Sequence, residues 1–234
     1  TNIRGTYSLL EGIRQSGVSV DSIVIASSDK AYGSYPSKMM PYNENYPLIP
    51  VYPYDVSKAS ADMIAQSYSR EPFSLPIVVT RFCNIYGPGQ LNFSAIVPDA
   101  IRSALRYSTF IPRGDGKQIR DFIYVKDVVE LYLSISSKLF SNPKKIRGEI
   151  FNAGTNKGVS VRDVLKKIFD ICQNMKDFEK VVKLMKNKKT VGEIAVQIMD
   201  FKKVNKFVGW KPKYTFEKGL NETVEWFREY LDSK

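Results

Sequence analysis

At 234 residues, with 43% hydrophobic, 25% charged and 12% aromatic side chains, the chain has ordinary globular composition, enough for one large domain or two modest ones. It has no histidine, which excludes histidine-dependent nucleophilic triads and the usual zinc hydrolase sites, and its two cysteines are too few for a disulfide framework. The net charge of +11 admits nucleic acid, an anionic membrane or a phosphorylated small molecule as partner.

The chain opens at Thr1, and "TNIRGTYSLLEGIRQSG" reads as a helix already under way, with Leu9, Leu10 and Ile13 as its apolar stripe and Gly17 as its stop. It therefore reads as the later part of something longer. In "SIVIASSDKAYG" the run Ile23 to Ala26 predicts a strand buried on both faces, as in a parallel sheet. A proline-punctuated loop, Tyr35 to Pro53, precedes "YDVSKASADMIAQSYSR", a helix with small residues on one face. "LPIVVTRFCNIYG", Leu75 to Gly87, predicts a second buried strand, closed by "GPGQ". This order of helix, strand, loop, helix and strand makes one right-handed α/β crossover.

Further on, "FSAIVPDAIRSALR" predicts a helix split by Pro98, and "TFIPRGDG" a short strand running into a turn. "DFIYVKDVVELYLSISSKL" contains a helix with Val128, Leu131, Tyr132 and Ile135 on one face. "GEIFNAG" reads as a strand, and "SVRDVLKKIFDICQ" as a helix capped by Ser160. The densest basic run, "KVVKLMKNKK" from Lys180 to Lys189, has no aromatic residue for base stacking and reads as a solvated surface. "GWKPKYTFEKGLNETVEWFREYL" gives a turn and a closing amphipathic helix. No apolar run approaches a membrane span and no secretory leader is visible, so the expectation is a cytoplasmic protein with no membrane or nucleic-acid partner and no metal site.

Open parallel sheets bind ligands beyond the carboxyl ends of their strands. The first strand delivers Ser27, Ser28, Asp29 and Lys30 to that edge, the second delivers Asn84, and the helix beginning at Tyr54 starts nearby. Tyr54 and Lys58 lie four apart and so share a helix face, where an ammonium favours the phenolate. Taken singly, each residue has a plainer reading: Ser28 as a turn cap, Asp29 as a helix cap, Asn84 as support for a loop. Their coincidence at one edge points to chemistry.

The segments "TNIRGTYSLLEG", "SSDKAYG", "YPYDVSKASAD", "RFCNIYGPGQ", "GDGKQIRDFIYVKDVV", "FNAG" and "VGWKPKYTFEKGLNETVEWF" occur in the order found in the extended short-chain dehydrogenase/reductases that act as nucleotide-sugar epimerases and dehydratases. The chain resembles that family over nearly its whole length. The resemblance implies an α/β fold: part of a Rossmann-like doubly wound parallel sheet, with a smaller C-terminal α/β substrate domain. It puts residues 1–90 in the NAD-binding domain and 91–234 mainly in the nucleotide-sugar domain, with about 121–155 returning to the Rossmann core.

The resemblance also implies roles. Tyr54 takes a proton from a sugar hydroxyl, Lys58 holds the nicotinamide ribose and keeps Tyr54 anionic, and Ser28 shares the hydrogen bond to the sugar. A phenol that titrates at about 10 needs such a neighbour at neutral pH. Asp29-Lys30 follows the serine as in 4,6-dehydratases, where the acid protonates the departing C6 hydroxyl and its neighbour helps remove the C5 proton. Lysine there resembles CDP-glucose 4,6-dehydratases, or the inverting UDP-sugar dehydratases, more than the dTDP-glucose type. A lysine base must shed its charge, which the positive field of Lys58 favours; Lys30 also reads simply as a partner for Asp29. Asn84 and Arg120 are expected at the diphosphate, Ile111, Pro112 and Arg113 along the nucleotide with Asn152 nearby, Ile85 towards the cofactor, and Thr1, Asn2 and Ser27 at its border.

Two departures stand out. "GEIAVQIMDFKKV" lacks the arginine that the dTDP-glucose type carries before its Asp-x-x-Lys turn, and no Gly-x-x-Gly-x-x-Gly occurs in the chain. The expectation is therefore an NDP-sugar 4,6-dehydratase or its catalytic part, using NAD, and by itself a weak NAD binder without activity. An NDP-sugar 4-epimerase and a non-catalytic sugar-nucleotide module are the rivals. The first helix and the one after Tyr54 are expected to pair with a second copy as a homodimer.

Overall fold

The computed structural model describes residues 1–186, 188 and 193–233. Helix α1 (Asn2–Ser16) ends at Gly17, which takes the left-handed conformation that stops helices at low steric cost. Strand β1 (Ile23–Ser28) runs into a 3-10 turn, Asp29–Tyr32, and a loop leads to α2 (Pro53–Ser69), whose first turn accommodates proline. Then come β2 (Ile77–Phe82), β3 (Asn84–Tyr86), α3 (Ile96–Ala104), β4 (Ile119–Tyr124), α4 (Val125–Ser141) and the short α5 (Pro143–Ile146). The remainder is β5 (Ile150–Ala153), β6 (Gly158–Ser160), α6 (Val161–Ile171), α7 (Met175–Met185), β7 (Val196–Gln197), α8 (Lys202–Val208) and α9 (Phe216–Asp232).

Two small sheets organise these elements. The first has the order β1-β2-β5, all parallel, with Ile23 opposite Ile77 and Val79 opposite Ile150. The second is built on β4, which pairs parallel with β3 and β7 and antiparallel with β6. The expected α/β architecture with a parallel sheet is what the chain adopts. Cores lie on both sides of the first sheet and beneath the second. Leu10, Ala65 and Ile77 join α1 and α2 to the sheet, Leu131, Ile135 and Phe151 pack α4 on its other side, and Leu165, Ile168 and Phe227 join α6 to α9.

Several local expectations need correction. All six residues of β2 are buried, as expected for the middle strand, but β1 at the end of the strand order buries only Ile23, Ile25 and Ser27, and Ala26 is exposed. The segment Leu75 to Gly87 is not one strand. It divides after Phe82, with β2 in the first sheet and β3 in the second. Pro98 does not split a helix, because it lies in the first turn of α3, where backbone N–H groups have no intrahelical acceptor to lose. The segment Thr109 to Gly116 forms no strand; Phe110 is buried, its N–H donating to Ser103 Oγ, while Pro112 has no N–H to offer a ladder. In α1, Leu10 is buried and Ile13 packs against the core, but Leu9 faces outward. The lysine-rich run ends at Lys189, outside the described residues; Lys180, Lys183 and Lys186 are exposed. Among the described residues no helix is long and apolar enough to cross a membrane.

Candidate active site

Where β1 and β2 end and β3 begins, the chain passes from the first sheet to the second, and a cavity of about 810 Å³ lies there. That volume is in the range of small-molecule sites. β1 places Ser27 and Ser28 on its wall and the turn after it adds Asp29 and Lys30, while α2 contributes Tyr54 and Lys58. The break between β2 and β3 brings Asn84 and Ile85, the loop before β4 brings Ile111, Pro112 and Arg113, and β4 itself brings Arg120. These twelve, separated by up to 93 positions, line one space.

Three of the expected residues do not line it. Thr1 is exposed at the start of α1, and Asn2 donates to Ser57 Oγ on α2 at 2.9 Å. Asn152 is fully buried on β5, where its Oδ1 accepts from the Tyr32 hydroxyl at 2.7 Å and its Nδ2 donates to the Tyr42 carbonyl at 3.0 Å. Tyr32 also accepts from Arg81, whose guanidinium forms a buried ion pair with Asp62 at 2.8 Å. Asn152 thus completes a polar chain linking β5, β2 and α2, because buried amides must find partners.

Ser28 has two local contacts. Its Oγ accepts from the Lys30 N–H at 3.2 Å, capping the 3-10 turn, and donates to Asp29 Oδ1 at 3.0 Å. The Tyr54 hydroxyl, half-exposed in the cavity, is near enough to Ser28 for the serine to ease its deprotonation. The plain reading of Ser28 as a cap and its reading as a site residue therefore describe one arrangement. Asp29 is buried, and its Oδ2 has no protein partner among the described residues, as is also true of the Ser27 hydroxyl.

The electrostatics depart from the expected scheme at Tyr54. Lys58 Nζ donates to the Ala26 carbonyl at 3.1 Å. Burial pushes the Tyr54 phenol above its usual value, the Ser28 contact opposes this, and Asp29 and Asp55 add to it. Lys58 is not among these influences, so the four-residue spacing does not by itself yield a phenolate here. Burial also pushes Asp29 above the usual carboxylate range, with Lys30 opposing. It pulls Lys30 below the usual ammonium range, and the positive charge that assists is Arg120 rather than Lys58. Lys30 does not use Asp29 as its hydrogen-bond partner: Nζ donates to Gln197 Oε1 at 2.8 Å. The acid thus holds its proton more tightly, and the amine more loosely, than in water.

Arg120, also buried, pairs through Nη2 with Glu193 Oε2 at 2.9 Å, and Asn84 Nδ2 donates to the Asp121 carbonyl at 3.0 Å. Glu193, Gln197 and Asp55 were not foreseen. The first two lie more than 160 residues beyond Lys30 and carry no local pattern; Asp55 adjoins Tyr54 but reads as an ordinary first-turn acid.

A parallel sheet ending in Ser-Asp-Lys, faced by a helix presenting Tyr54 and Lys58 to the same cavity, defines the class of short-chain dehydrogenase/reductases. Within that class, the chain belongs to the family described as GDP-mannose 4,6 dehydratase, whose model matches residues 1–223. It is 31% identical to the dTDP-D-glucose 4,6-dehydratase of Mus musculus over 229 residues, covering 97% of this chain and 61% of that protein. The structure of a dTDP-glucose 4,6-dehydratase from Bacillus anthracis, in complex with NAD, superposes with a TM-score of 0.82 at 32% identity, covering 99% of this chain and 69% of that one. A UDP-glucose 4-epimerase from Thermotoga maritima, with UDP-glucose, gives a TM-score of 0.80 at 30% identity over 99% and 70% of the two chains. The chain spans about three fifths of the length of the curated mammalian relatives it matches.

Proposed function

We propose that this chain carries the acid–base and sugar-nucleotide half of an NDP-sugar 4,6-dehydratase of the cytoplasm. The observation that carries the reading is the Asp29-Lys30 pair: neighbours in one turn in the wall of the cavity, a buried acid that burial makes harder to deprotonate and an amine that burial makes easier to deprotonate. Dehydration needs that combination. At a sugar with a C4 carbonyl, Lys30 takes the C5 proton and its C–H electron pair becomes the C5–C6 double bond. The C6–O pair leaves with oxygen, which receives the Asp29 proton and departs as water. Lys30 ends as ammonium and Asp29 as carboxylate. A C4 epimerase needs neither group, which separates the two readings where overall fold does not.

In this reading Tyr54 and Ser28 hold the C4 hydroxyl, and Tyr54 takes its proton as the phenolate, the minor form in the chain by itself. Arg120, Asn84 and Arg113 supply donors for the diphosphate and nucleotide, Ile111 and Pro112 apolar contact. The donor set at this edge fits the nicotinamide end of NAD: Lys58 for the ribose, Tyr54 beside it, and Ser27 with an unpaired hydroxyl. When bound, NAD would supply the hydride acceptor for C4 and the hydride donor for C6. Residues for its pyrophosphate do not fit so well, since no glycine-rich turn occurs in the sequence. We read residues 1–90 as the cofactor side and 91–234 as mainly the sugar-nucleotide side, with the chain re-entering the first sheet through α4 and β5. The exposed apolar residues Ile3 and Tyr7 on α1, and Val56 and Met63 on α2, favour a homodimer through these helices.

The test needs no cofactor. The chain is incubated in D2O with an NDP-4-keto-6-deoxyhexose, and C5 deuteration is followed by NMR. The expected result is C5 exchange above the buffer rate, lost in Lys30→Met and retained in Tyr54→Phe. Exchange at the buffer rate in the unmodified chain, despite bound nucleotide, would overturn the dehydratase reading in favour of an epimerase or a binding module.

A further inference from the structure

Lys30 sits on a flexible four-carbon stem, and what aims its amine comes from the far end of the sequence. Gln197 lies in β7, opposite Arg120 in the parallel ladder with β4, and is fully buried. Its Oε1 accepts from Lys30 Nζ at 2.8 Å, while its Nε2 has no protein partner among the described residues. A buried amide with an unsatisfied end is costly unless another gain retains it. This is also the segment that lacks the arginine expected of the dTDP-glucose type; it reaches the site instead through Glu193 on Arg120 and Gln197 on Lys30.

We propose that Gln197 is the positioning residue for Lys30, its amide oxygen pinning the amine at the wall of the cavity beside Asp29 so that the amine faces the sugar C5. This deepens the dehydratase reading and rests on it. The choice of an amide follows from chemistry. An amide oxygen accepts an N–H from lysine in either protonation state, favouring the ammonium only mildly, so it orients the amine without fixing its charge. A carboxylate at the same place would hold Lys30 as ammonium, useless as a base, and a hydrocarbon would leave the stem unanchored.

The charged groups that face Lys30 pull in both directions. Asp29 in its own turn, Asp55 on α2 and Glu193 ahead of β7 favour the ammonium, whereas Arg120 on β4 and burial oppose it, with a net fall. A further negative charge at position 197 would tip that balance. Register explains how so distant a residue arrives: Arg120 and Gln197 are ladder partners, so the diphosphate-facing arginine and the lysine-holding amide are set by the same two strands.

The test reads Lys30 directly. The full chain and its Gln197→Met and Gln197→Glu variants are labelled with trace isotopic acetic anhydride from pH 6 to 11. Acetylation of the Lys30 peptide is then quantified by mass spectrometry against total unfolded label. Expected midpoints for Lys30 are below the ordinary lysine value in the unmodified chain, lower still in Gln197→Met, and higher in Gln197→Glu. C5 deuterium exchange at pH 8 should fall at least tenfold in both variants, with nucleoside diphosphate affinity unchanged. A Lys30 midpoint unmoved by both substitutions, in variants whose circular dichroism matches the parent, overturns the positioning role. Shifted midpoints without C5 exchange in the unmodified chain uphold the Lys30–Gln197 coupling and overturn the dehydratase reading alone.

Discussion

Arg120 shows how a single side chain can be held ready for a ligand. Its guanidinium is almost entirely buried and, among the described residues, makes one ion pair, with the half-exposed carboxylate of Glu193. A diphosphate entering the cavity competes with that carboxylate for the same donors. Charge-assisted hydrogen bonds contribute about 1.5–3 kcal/mol, so Arg120→Ala should weaken nucleoside diphosphate binding roughly ten- to hundredfold. Glu193→Gln should instead strengthen it several-fold, since the competing charge is gone and the partner remains polar. Isothermal calorimetry on the two variants checks the opposite signs; weakening in both would show that Glu193 helps to build the site. Asp121 next door makes a second test. It is fully buried, it accepts from the backbone N–H groups of Thr155, Asn156 and Met199 and from the Thr155 hydroxyl, and burial still raises it to about 6. A raised folded value means that the native state binds the proton more tightly, so this group's contribution is full below about pH 4 and is lost as pH climbs through 6. The destabilisation caused by Asp121→Asn, measured by urea unfolding, should therefore shrink between pH 4 and pH 7, by an amount on the order of 2–3 kcal/mol. A difference that grows with pH would contradict this account.

Among the elements, α9 and α6 show local preference and tertiary packing in turn. Gly219 lies inside α9, where alanine would ordinarily gain about 1 kcal/mol of helix propensity. A Cβ there would overlap the Tyr86 hydroxyl and stand 2.9 Å from the Tyr124 ring. Both tyrosines are fully buried, so the overlap wins, and Gly219→Ala should destabilise the chain by about 1–3 kcal/mol in chemical denaturation. Ser160, legible from sequence as the cap of α6, accepts from the Asp163 N–H at 3.0 Å; Ser160→Ala should cost about 1 kcal/mol in the same assay. Caps, the glycine stop of α1, and the amphipathic faces of α4 and α9 could be read directly, because each depends on residues within one or two turns. The break between β2 and β3 could not. "VVTRFCNIY" has no proline, glycine or polar cluster to mark a break, and nothing within it says that Phe82 pairs with Ala153 whereas Ile85 pairs with Ile123. Pro98 misled for a related reason: the proline rule depends on position within a helix, and that position was set by where Ile96 and Val97 pack.

At the scale of the whole molecule, the site lies between two sheets, and in our proposal the chain's own residues furnish part of a cofactor cradle. With no glycine-rich turn in the sequence, NAD affinity of the chain alone should be weaker than micromolar by calorimetry, and tight binding would refute the reading that this cradle is incomplete. The exposed apolar residues of α1 and α2 should bring two copies together in sedimentation velocity experiments, and Tyr7→Glu combined with Met63→Glu should leave a monomer.

By itself, the order of residues determined the class of fold, the sheet edge at which the cavity opens and twelve of the side chains around it. Those features depend on short spacings, on strand ends, and on a run of motifs whose arrangement is carried by the chain itself. Only the tertiary structure decided what each group does there. It turned Asn152 inward to Tyr32, gave Lys58 to a backbone carbonyl instead of the phenol, and set Glu193 on Arg120 and Gln197 on Lys30. Proton affinity depends on burial and on charges within a few ångströms, and which groups come that close is settled by strand register between segments far apart in sequence.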